Sequence, residues 1–254
     1  MTRPSVVRRL VAPNPSPMTG AGTNTYVVGD PDVAVIDPGP DLAGHLDAIV
    51  AAARGRVTRI LVTHDHPDHA EAAGPLSART GAPVLTWAAG LRDGDVVHTG
   101  GTRLVAVHTP GHTRDHVCFL LVEDAALFSG DLVMSGSTVV IAPPEGDMAA
   151  YLASLERLRT MPLTRIYPGH GDPIDAPGQI ITQYLHHRRL RERQILEALA
   201  DRPARIPDLV ARIYTEVSPA LHGLAAQSVF AHLLKLKAEG AVIGSDMNSE
   251  WRRV

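Results

Sequence analysis

The chain has 254 residues, of which 44% are hydrophobic and 20% are charged, and its formal net charge at pH 7 is −3. These proportions are typical of a globular protein and exclude a disordered or fibrous chain. No stretch approaches the roughly 20 apolar residues that cross a bilayer, and the single cysteine, Cys118, cannot form an internal disulfide. We therefore expect a cytoplasmic protein with no membrane partner.

The N-terminal part of the chain is predicted to contain a loop, a hairpin and a helix. Residues 12–20 include three prolines and form the loop. Residues 25–29 and 33–37 are rich in valine and predict two strands joined by the turn Gly29-Asp30-Pro31-Asp32. Asp41 is predicted to cap a helix that ends near residue 53.

The strand predicted at residues 56–62 leads directly into Thr63-His64-Asp65-His66-Pro67-Asp68-His69. Alternate residues of an extended chain share a face, so His64 and His66 are expected to point the same way. Pro67 bends the chain before a helix predicted at residues 70–80. Imidazole and carboxylate groups are the ligands of zinc and similar metals, so this segment predicts a metal site rather than a polar surface loop.

Three further segments of metal-binding type each follow a predicted strand. They are Pro110-Gly111-His112-Thr113, Ser129-Gly130-Asp131 and Pro168-Gly169-His170-Gly171. Strands are predicted at residues 83–87, 96–98, 103–109, 116–123, 125–129, 138–141 and 165–167, with a helix from Asp147 to about residue 160. Strands and helices that alternate only in part predict a mixed α/β fold.

The last part of the chain is predicted to be helical, over residues 179–200, 206–217 and 219–239, with two short strands after Gly240. Three helices and a small hairpin are the outline of a winged helix. We therefore predict a catalytic domain at residues 1–187 and a winged-helix domain at residues 188–254. Residues 1–185 are net acidic and residues 186–254 are net basic, so anionic partners would meet the C-terminal part.

The order HxHxDH, then a single His, a single Asp and a single His, resembles the metallo-β-lactamase superfamily over roughly residues 20–175. The resemblance implies a four-layer αβ/βα sandwich with two metal ions, expected to be Zn²⁺, with Mn²⁺ or iron as alternatives. It implies seven ligands: His64, His66 and His112 for one ion, Asp68, His69 and His170 for the other, and Asp131 as the bridge. It also implies a metal-bridging hydroxide as nucleophile, with Asp68, Asp131 and His170 as catalytic residues. His116 matches no ligand position and is expected outside the ligand set.

Other motifs narrow the resemblance. Residues 132–139 lack the glutathione-binding loop that follows the bridging Asp in glyoxalase II. Gly22-Thr23-Asn24-Thr25-Tyr26, together with His187-Arg188 and Arg191-Glu192, resembles the β-lactamase-like protein 2 family, whose members add a winged helix. In animals that family implies a metal-dependent endoribonuclease for single-stranded RNA.

Three functions are therefore open. The first is an RNA phosphodiesterase in which His187, Arg188 and Arg191 share a helix face and bind the substrate's phosphates; the alternative for this helix is packing with ion pairs. The second is a glyoxalase II-like hydrolase of small thioesters or esters. The third is a nucleic-acid- or protein-binding module with a vestigial metal site. Only 4% of residues are aromatic, which is few for stacking single-stranded bases. A homodimer is compatible with each function.

Overall fold

The computed structural model of the chain describes residues 6–54, 56–136 and 138–254. These residues form two compact units that alternate along the chain. The first unit comprises the described residues of Met1–Thr109, Asp115–Thr138 and Met161–Gln179. The second unit comprises Pro110–Arg114, Val139–Thr160 and Ile180–Val254. The predicted domain boundary after residue 187 lies inside a long helix, and it stays a prediction.

The first unit contains a five-stranded sheet in the order β1-β2-β3-β4-β5. Its strands are β1 (Val7–Val11), β2 (Asn24–Val28), β3 (Val33–Ile36), β4 (Val57–Leu61) and β5 (Val84–Leu85). Strands β2 and β3 pair antiparallel, which confirms the predicted hairpin, whereas β3, β4 and β5 run parallel. Strand β1 is an additional edge strand that the sequence did not predict.

A second five-stranded sheet in this unit has the order β10-β9-β8-β7-β6. Its strands are β6 (Val96–Thr99), β7 (Thr102–His108), β8 (Val117–Leu121), β9 (Ala126–Gly130) and β10 (Arg165–Pro168). The strand predicted at residues 138–141 is wrong, because the described residues there belong to no helix or strand. Pro143 and Pro144 follow directly and have no amide hydrogen to extend a ladder.

Two apolar layers hold the first unit together. One layer lies between the sheets and includes Tyr26, Phe119 and Phe128, each at most 2% exposed. The other packs the remaining face of the first sheet against helices α1 (Ala43–Ala52) and α3 (Ala73–Thr80). Strand β3 is buried along its whole length and is accordingly a continuous apolar run, whereas β4 carries the exposed Arg59.

The predicted cap of α1 is wrong. Leu42, not Asp41, is the N-cap residue, and no side chain caps this helix. The backbone amide of Asp41 instead donates to Glu71 Oε2 at 3.2 Å.

The second unit is mostly helical. Its elements are α4 (Met148–Arg159), most of α5 (Pro177–Ala198), α6 (Ile206–Ile213), α7 (His222–Ala238), β11 (Val242–Ile243) and β12 (Arg252–Arg253). The part of α5 that belongs to this unit begins at Ile180. Asp147 caps α4 as predicted, through a hydrogen bond from the Ala150 amide at 2.9 Å. Helices α5, α6 and α7 share a core with Trp251, whose side chain is fully buried. Among the described residues, no helix has both the length and the apolar character needed to span a membrane.

Candidate metal centre

The HxHxDH motif lies where β4 ends and the one-turn helix α2 (Pro67–Ala70) begins. His66 is the N-cap and Pro67 takes the first helical position, where its missing amide hydrogen costs nothing. Asp68 and His69 follow in that turn. The local sequence therefore brings both predicted ligand pairs to one end of the first sheet.

His64 and His66 place their ring nitrogens together. His64 Nε2 and His66 Nδ1 are 3.0 Å apart. On its other side, His64 Nδ1 lies 3.0 Å from Thr63 Oγ1, and that hydroxyl donates to Asp37 at 2.8 Å. The Thr63 oxygen is therefore the acceptor for His64 Nδ1–H, and the lone pair of His64 is on Nε2, facing His66.

His69 is fully buried and is held from behind by Asp37. Its Nδ1 lies 2.9 Å from Asp37 Oδ2. Its Nε2 is a buried atom without a hydrogen-bond partner, 3.5 Å from carboxylate oxygens of Asp68 and Asp131. A carboxylate behind a histidine fixes the ring's tautomer and orientation in metal sites, so Asp37 directs Nε2 toward the two predicted carboxylate ligands.

His170 completes this group from the end of β10. Its Nδ1 is 3.3 Å from the carbonyl of Gly22, and its Nε2 is 3.3 Å from Asp68 and 3.4 Å from Asp131. Thr23 Oγ1 donates to Asp68 Oδ2 at 3.1 Å. The Gly22-Thr23 segment, recognised in the sequence as a family motif, thus supports one histidine and one carboxylate.

The backbone of Asp131 is held by His116. The Asp131 amide donates to His116 Nε2 at 3.2 Å, and His116 Nδ1 lies 3.0 Å from Thr109 Oγ1. The Thr109 hydroxyl donates to Cys118 Sγ at 3.2 Å. His116 is therefore the neutral Nδ1–H tautomer in this chain of hydrogen bonds.

Two glycines allow the strand ends to approach the ligands closely. A Cβ at Gly169 would lie 2.7 Å from His69 Cε1 and 2.8 Å from Asp131 Oδ1. A Cβ at Gly130 would lie 2.6 Å from Thr63 Oγ1, and its φ of +46° also disfavours other residues. A larger residue at Gly169 would displace two predicted ligands, and one at Gly130 would displace Thr63, which orients His64.

The electrostatics of this cluster are those of coupled acids and bases. Burial disfavours the charge on His69, but the carboxylates of Asp131 and Asp37 outweigh it and raise the pKa of His69 well above its usual range. Burial alone would raise the pKa of Asp131, but His69 and His170 outweigh burial and hold this pKa well below its usual range. For His170, hydrogen bonds to Asp131 and Asp68 overcome burial and raise the pKa to about 9.

The donor set fits metal ions. Ligand atoms of His64, His69 and Asp131 lie within 4.8 Å of one another, and so do those of Asp68, His69 and His170. His69 Nε2, buried without a hydrogen-bond partner, faces carboxylates that a divalent cation would neutralise. Metal ions would therefore take the place of the protons that now hold these groups together.

His112 belongs to the second unit and has its own orienting partner. Its Nδ1 lies 3.0 Å from the carbonyl oxygen of Val140 and is therefore the protonated nitrogen. Its Nε2 is the nitrogen through which it would bind a metal. Four of the five predicted histidine ligands, His64, His69, His112 and His170, thus present Nε2, and His66 presents Nδ1.

The predicted substrate residues on α5 lie in the second unit with interior partners. Arg188 is 1% exposed, and its guanidinium donates to the Val139 carbonyl. Arg191 donates to the Ile213 carbonyl at 2.9 Å and lies over the ring of Tyr214 at 4.2 Å. Burial, followed by Arg188 and Arg191, lowers the pKa of the half-buried His187 to about 4. The proposed phosphate-binding role of these three residues stays a prediction.

Sequence reasoning missed the residues behind the ligands. The sequence predicts only a strand end at Asp37, and it predicts no role for Thr63 or for the Gly22 and Val140 carbonyls. One available signal was an acidic residue placed directly after the buried strand β3, since the carboxyl ends of parallel neighbours β3 and β4 lie at one sheet edge.

Comparison with known proteins agrees with this geometry. Residues 18–86 and 85–170 match the metallo-β-lactamase superfamily, and residues 206–251 match the β-lactamase-associated winged helix domain. The chain is 34% identical to the β-lactamase-like protein 2 homolog of Drosophila melanogaster, over 93% of this chain and 89% of that protein. It is also 34% identical to an atrochrysone carboxyl ACP thioesterase of Aspergillus fumigatus, over 77% of this chain and 65% of that protein.

The fold is shared with a crystal structure of a metallo-β-lactamase family protein from Thermus thermophilus. That structure matches with a TM-score of 0.82 at 24% identity and covers 98% of both chains. The predicted α/β sandwich with a C-terminal winged helix is thereby confirmed. The chain belongs to the metallo-β-lactamase superfamily, as a metal-dependent hydrolase with a β-lactamase-associated winged helix and as a relative of the β-lactamase-like protein 2 homologs.

Proposed function

We propose that the chain is a dinuclear metallohydrolase that cleaves thioesters or esters of small acyl groups. The observation that carries the choice of substrate is the placement of Arg188 and Arg191. The sequence predicts that these two arginines bind the phosphates of RNA. In the structure, however, their guanidinium groups contact carbonyl groups and aromatic rings inside the second unit. The similarity to a thioesterase over 77% of this chain supports the same choice.

In this proposal His64, His66 and His112 hold one ion, Asp68, His69 and His170 hold the other, and Asp131 is shared. Two divalent cations, with zinc as the expected metal, would lower the pKa of water to near 7 and polarise the scissile carbonyl when bound. Asp37, Thr63 and the carbonyls of Gly22 and Val140 fix the ligand rings through their Nδ1 atoms.

The same side chains can handle the proton of the reaction. Asp68 is the most exposed carboxylate of the cluster, at 29% of its side chain, and it lies 3.3 Å from His170 Nε2. With His170 Nε2 taken up as a metal ligand, a carboxylate at the edge of the site can accept the proton released by the attacking water and pass it to the leaving thiol or alcohol. Thr23 Oγ1 orients it for that transfer.

RNA cleavage is the second candidate, and one surface of the second unit favours it. Arg159, Arg189 and Arg193 line an open groove along α4 and α5 together with Glu156. Arg189 pairs with Glu156 at 2.6 Å, so part of this charge is already neutralised. The groove is where an RNA phosphate backbone would bind if the first proposal is wrong.

Three probes separate the candidates: an acyl N-acetylcysteamine thioester, S-D-lactoylglutathione and a labelled single-stranded RNA. We expect thioester hydrolysis that is lost on chelation, restored by Zn²⁺ and absent in Asp131→Ala. Elemental analysis of the purified chain should give about two metal ions per chain. RNA cleavage that disappears in Asp131→Ala, with no thioester turnover, would replace the proposal by the second candidate.

A further inference from the structure

The carbonyl that orients His112 lies in a segment without regular structure. Val140 accepts the Nδ1–H of His112 at 3.0 Å, and the described residues 138–142 belong to no helix or strand. No helix or sheet ladder therefore fixes that peptide. In metal sites the acceptor behind a histidine sets the direction of the ligating nitrogen, so whatever holds residues 139–140 also sets the direction of His112.

Arg188 of helix α5 holds this segment. Its guanidinium Nη2 donates to the carbonyl of Val139, the residue directly before Val140. The guanidinium also lies over the ring of Tyr151, with Cζ 5.2 Å from the ring centroid. The side chain is 1% exposed, so both contacts are shielded from water.

Stability alone does not explain a buried arginine at this position. Among the described residues Arg188 forms no ion pair with a carboxylate, and its Nε is buried without a hydrogen-bond partner. Burying an unpaired charge is costly, and an apolar side chain of similar volume would fill the same space. What such a side chain could not supply is a rigid planar donor to the Val139 carbonyl.

Tyr151 connects the same arginine to the other side of His112. The Cβ position of Gly111 lies 2.3 Å from Tyr151 Cα, so only glycine fits against this part of α4. The amide of Asp147, the N-cap of α4, donates to the Gly111 carbonyl at 2.9 Å. Gly111, which precedes His112, is therefore held by Tyr151 and by the start of α4. The Val140 carbonyl, which accepts from the His112 ring, follows the residue that Arg188 holds.

We propose that Arg188 is a positioning residue for the metal ligand His112, acting through the 139–140 peptide. The inference rests on the proposed metal site, in which His112 is a ligand. It assigns to the long helix a role in metal binding in place of the predicted role in binding phosphate. It also makes the second unit, through α5, a determinant of metal affinity.

The test is a titration of the metal-free protein with Co²⁺, followed by its visible absorption. Arg188→Met keeps the volume and removes the donor, and we expect the dissociation constant of the more weakly held ion to rise about 10–100-fold. Arg188→Lys keeps one donor without the planar stack and should fall between Arg188→Met and the unchanged protein. Equal Co²⁺ affinity in the unchanged chain and both variants overturns the inference.

Arg191→Met is the matched control. Arg191 also lies over a tyrosine and donates to a carbonyl in the second unit, but its partners are Tyr214 and Ile213. We expect it to lower the melting temperature without changing Co²⁺ affinity. A loss of affinity as large as that of Arg188→Met would show a general effect of destabilisation and overturn the inference.

A second comparison uses His112→Ala. If Arg188 acts through His112, adding Arg188→Met to His112→Ala leaves Co²⁺ affinity unchanged, because coupled residues are not additive. A full additional loss in the double variant overturns the inference. If His112→Ala alone leaves Co²⁺ affinity unchanged, the proposed ligand set itself is wrong, which distinguishes the two failures.

Discussion

Asp37 is a buried carboxylate that holds both Thr63 and His69. Its Oδ1 accepts the Thr63 amide at 2.8 Å, and its Oδ2 accepts the Thr63 hydroxyl at 2.8 Å and faces His69 Nδ1 at 2.9 Å. Thr63 in turn faces His64 Nδ1. One carboxylate therefore orients two histidines of the predicted centre, and its φ of +50° lies in the left-handed region that Asp tolerates better than most residues.

Asp37→Asn should weaken metal binding by about 10–100-fold, because the amide keeps the size of the side chain but loses the charge behind His69. Competition with a chromophoric chelator measures the change. Asp47→Asn is the control, since Asp47 is an exposed carboxylate paired with Arg79 on the surface. Unchanged affinity in Asp37→Asn would mean that the backbone alone orients the ring.

Asp131→Ala and His116→Ala should differ in severity. Asp131 is a buried carboxylate 3.5 Å from His69 Nε2 and 3.4 Å from His170 Nε2. Its removal therefore deletes the carboxylate that lies between these two rings. We expect hydrolysis to fall to background. His116 accepts from the Asp131 backbone amide and matches no predicted ligand position, so its removal should lower kcat about 10–100-fold. Equal losses in two variants with unchanged circular dichroism would place His116 among the ligands.

The predicted ligands and the residues that orient them differ in how far the sequence predicts their positions. His64, His66, Asp68 and His69 lie within six positions of one another, so their proximity follows from local geometry alone. Asp37 meets His69 across 32 residues, and Gly22 meets His170 across 148. Those contacts depend on which strands become neighbours, and hydrophobic patterning sets the elements without setting their order.

At the scale of elements, helix α5 shows what its sequence pattern leaves open. Its arginines and histidines share faces as the 3.6-residue period requires, but the period does not say which face is buried. In the structure Arg188 faces the interior while Arg189 is exposed and pairs with Glu156. The buried side of this helix therefore carries charge, and its ion pairs involve Arg189 and Glu192. The choice between phosphate binding and packing with ion pairs stays a prediction.

The buried side of α5 predicts a pH dependence of stability. Burial, Arg188, Arg191 and His232 lower the pKa of His187 from 6.5 to about 4 in the folded chain. Between these values the unfolded chain binds a proton that the folded chain does not. The free energy of unfolding should therefore decrease as pH falls from about 6.5 to about 4, with no contribution from His187 above that window.

His187→Gln should flatten this part of the stability curve, measured by urea unfolding at several pH values. His186→Gln is the control, because His186 is the adjacent histidine on the exposed side of the helix. An identical slope in His187→Gln and the unchanged chain would show that His187 titrates normally in the folded state.

At the scale of the whole molecule, the units do not follow the order of the predicted domains. Residues 110–114 and 139–160 belong to the same unit as residues 180–254. The change in composition along the chain indicates the winged helix, but it does not show which earlier segments pack with that domain. The C-terminal region therefore supports a segment that contains His112.

A chain ending at residue 187 should fail to fold cooperatively, although it contains all seven predicted metal ligands. The truncation removes Arg188 from the Val139 carbonyl and from the ring of Tyr151. It also removes Trp251 and the core that α5 shares with α6 and α7. We expect no single thermal transition by circular dichroism and no binding of two metal ions.

Ile243→Ser, at an exposed position of the C-terminal hairpin, is the control and should melt like the unchanged chain. A truncated chain that melts cooperatively and binds two ions would show that residues 1–187 are a self-sufficient catalytic domain, and that residues 188–254 contribute nothing to the metal centre.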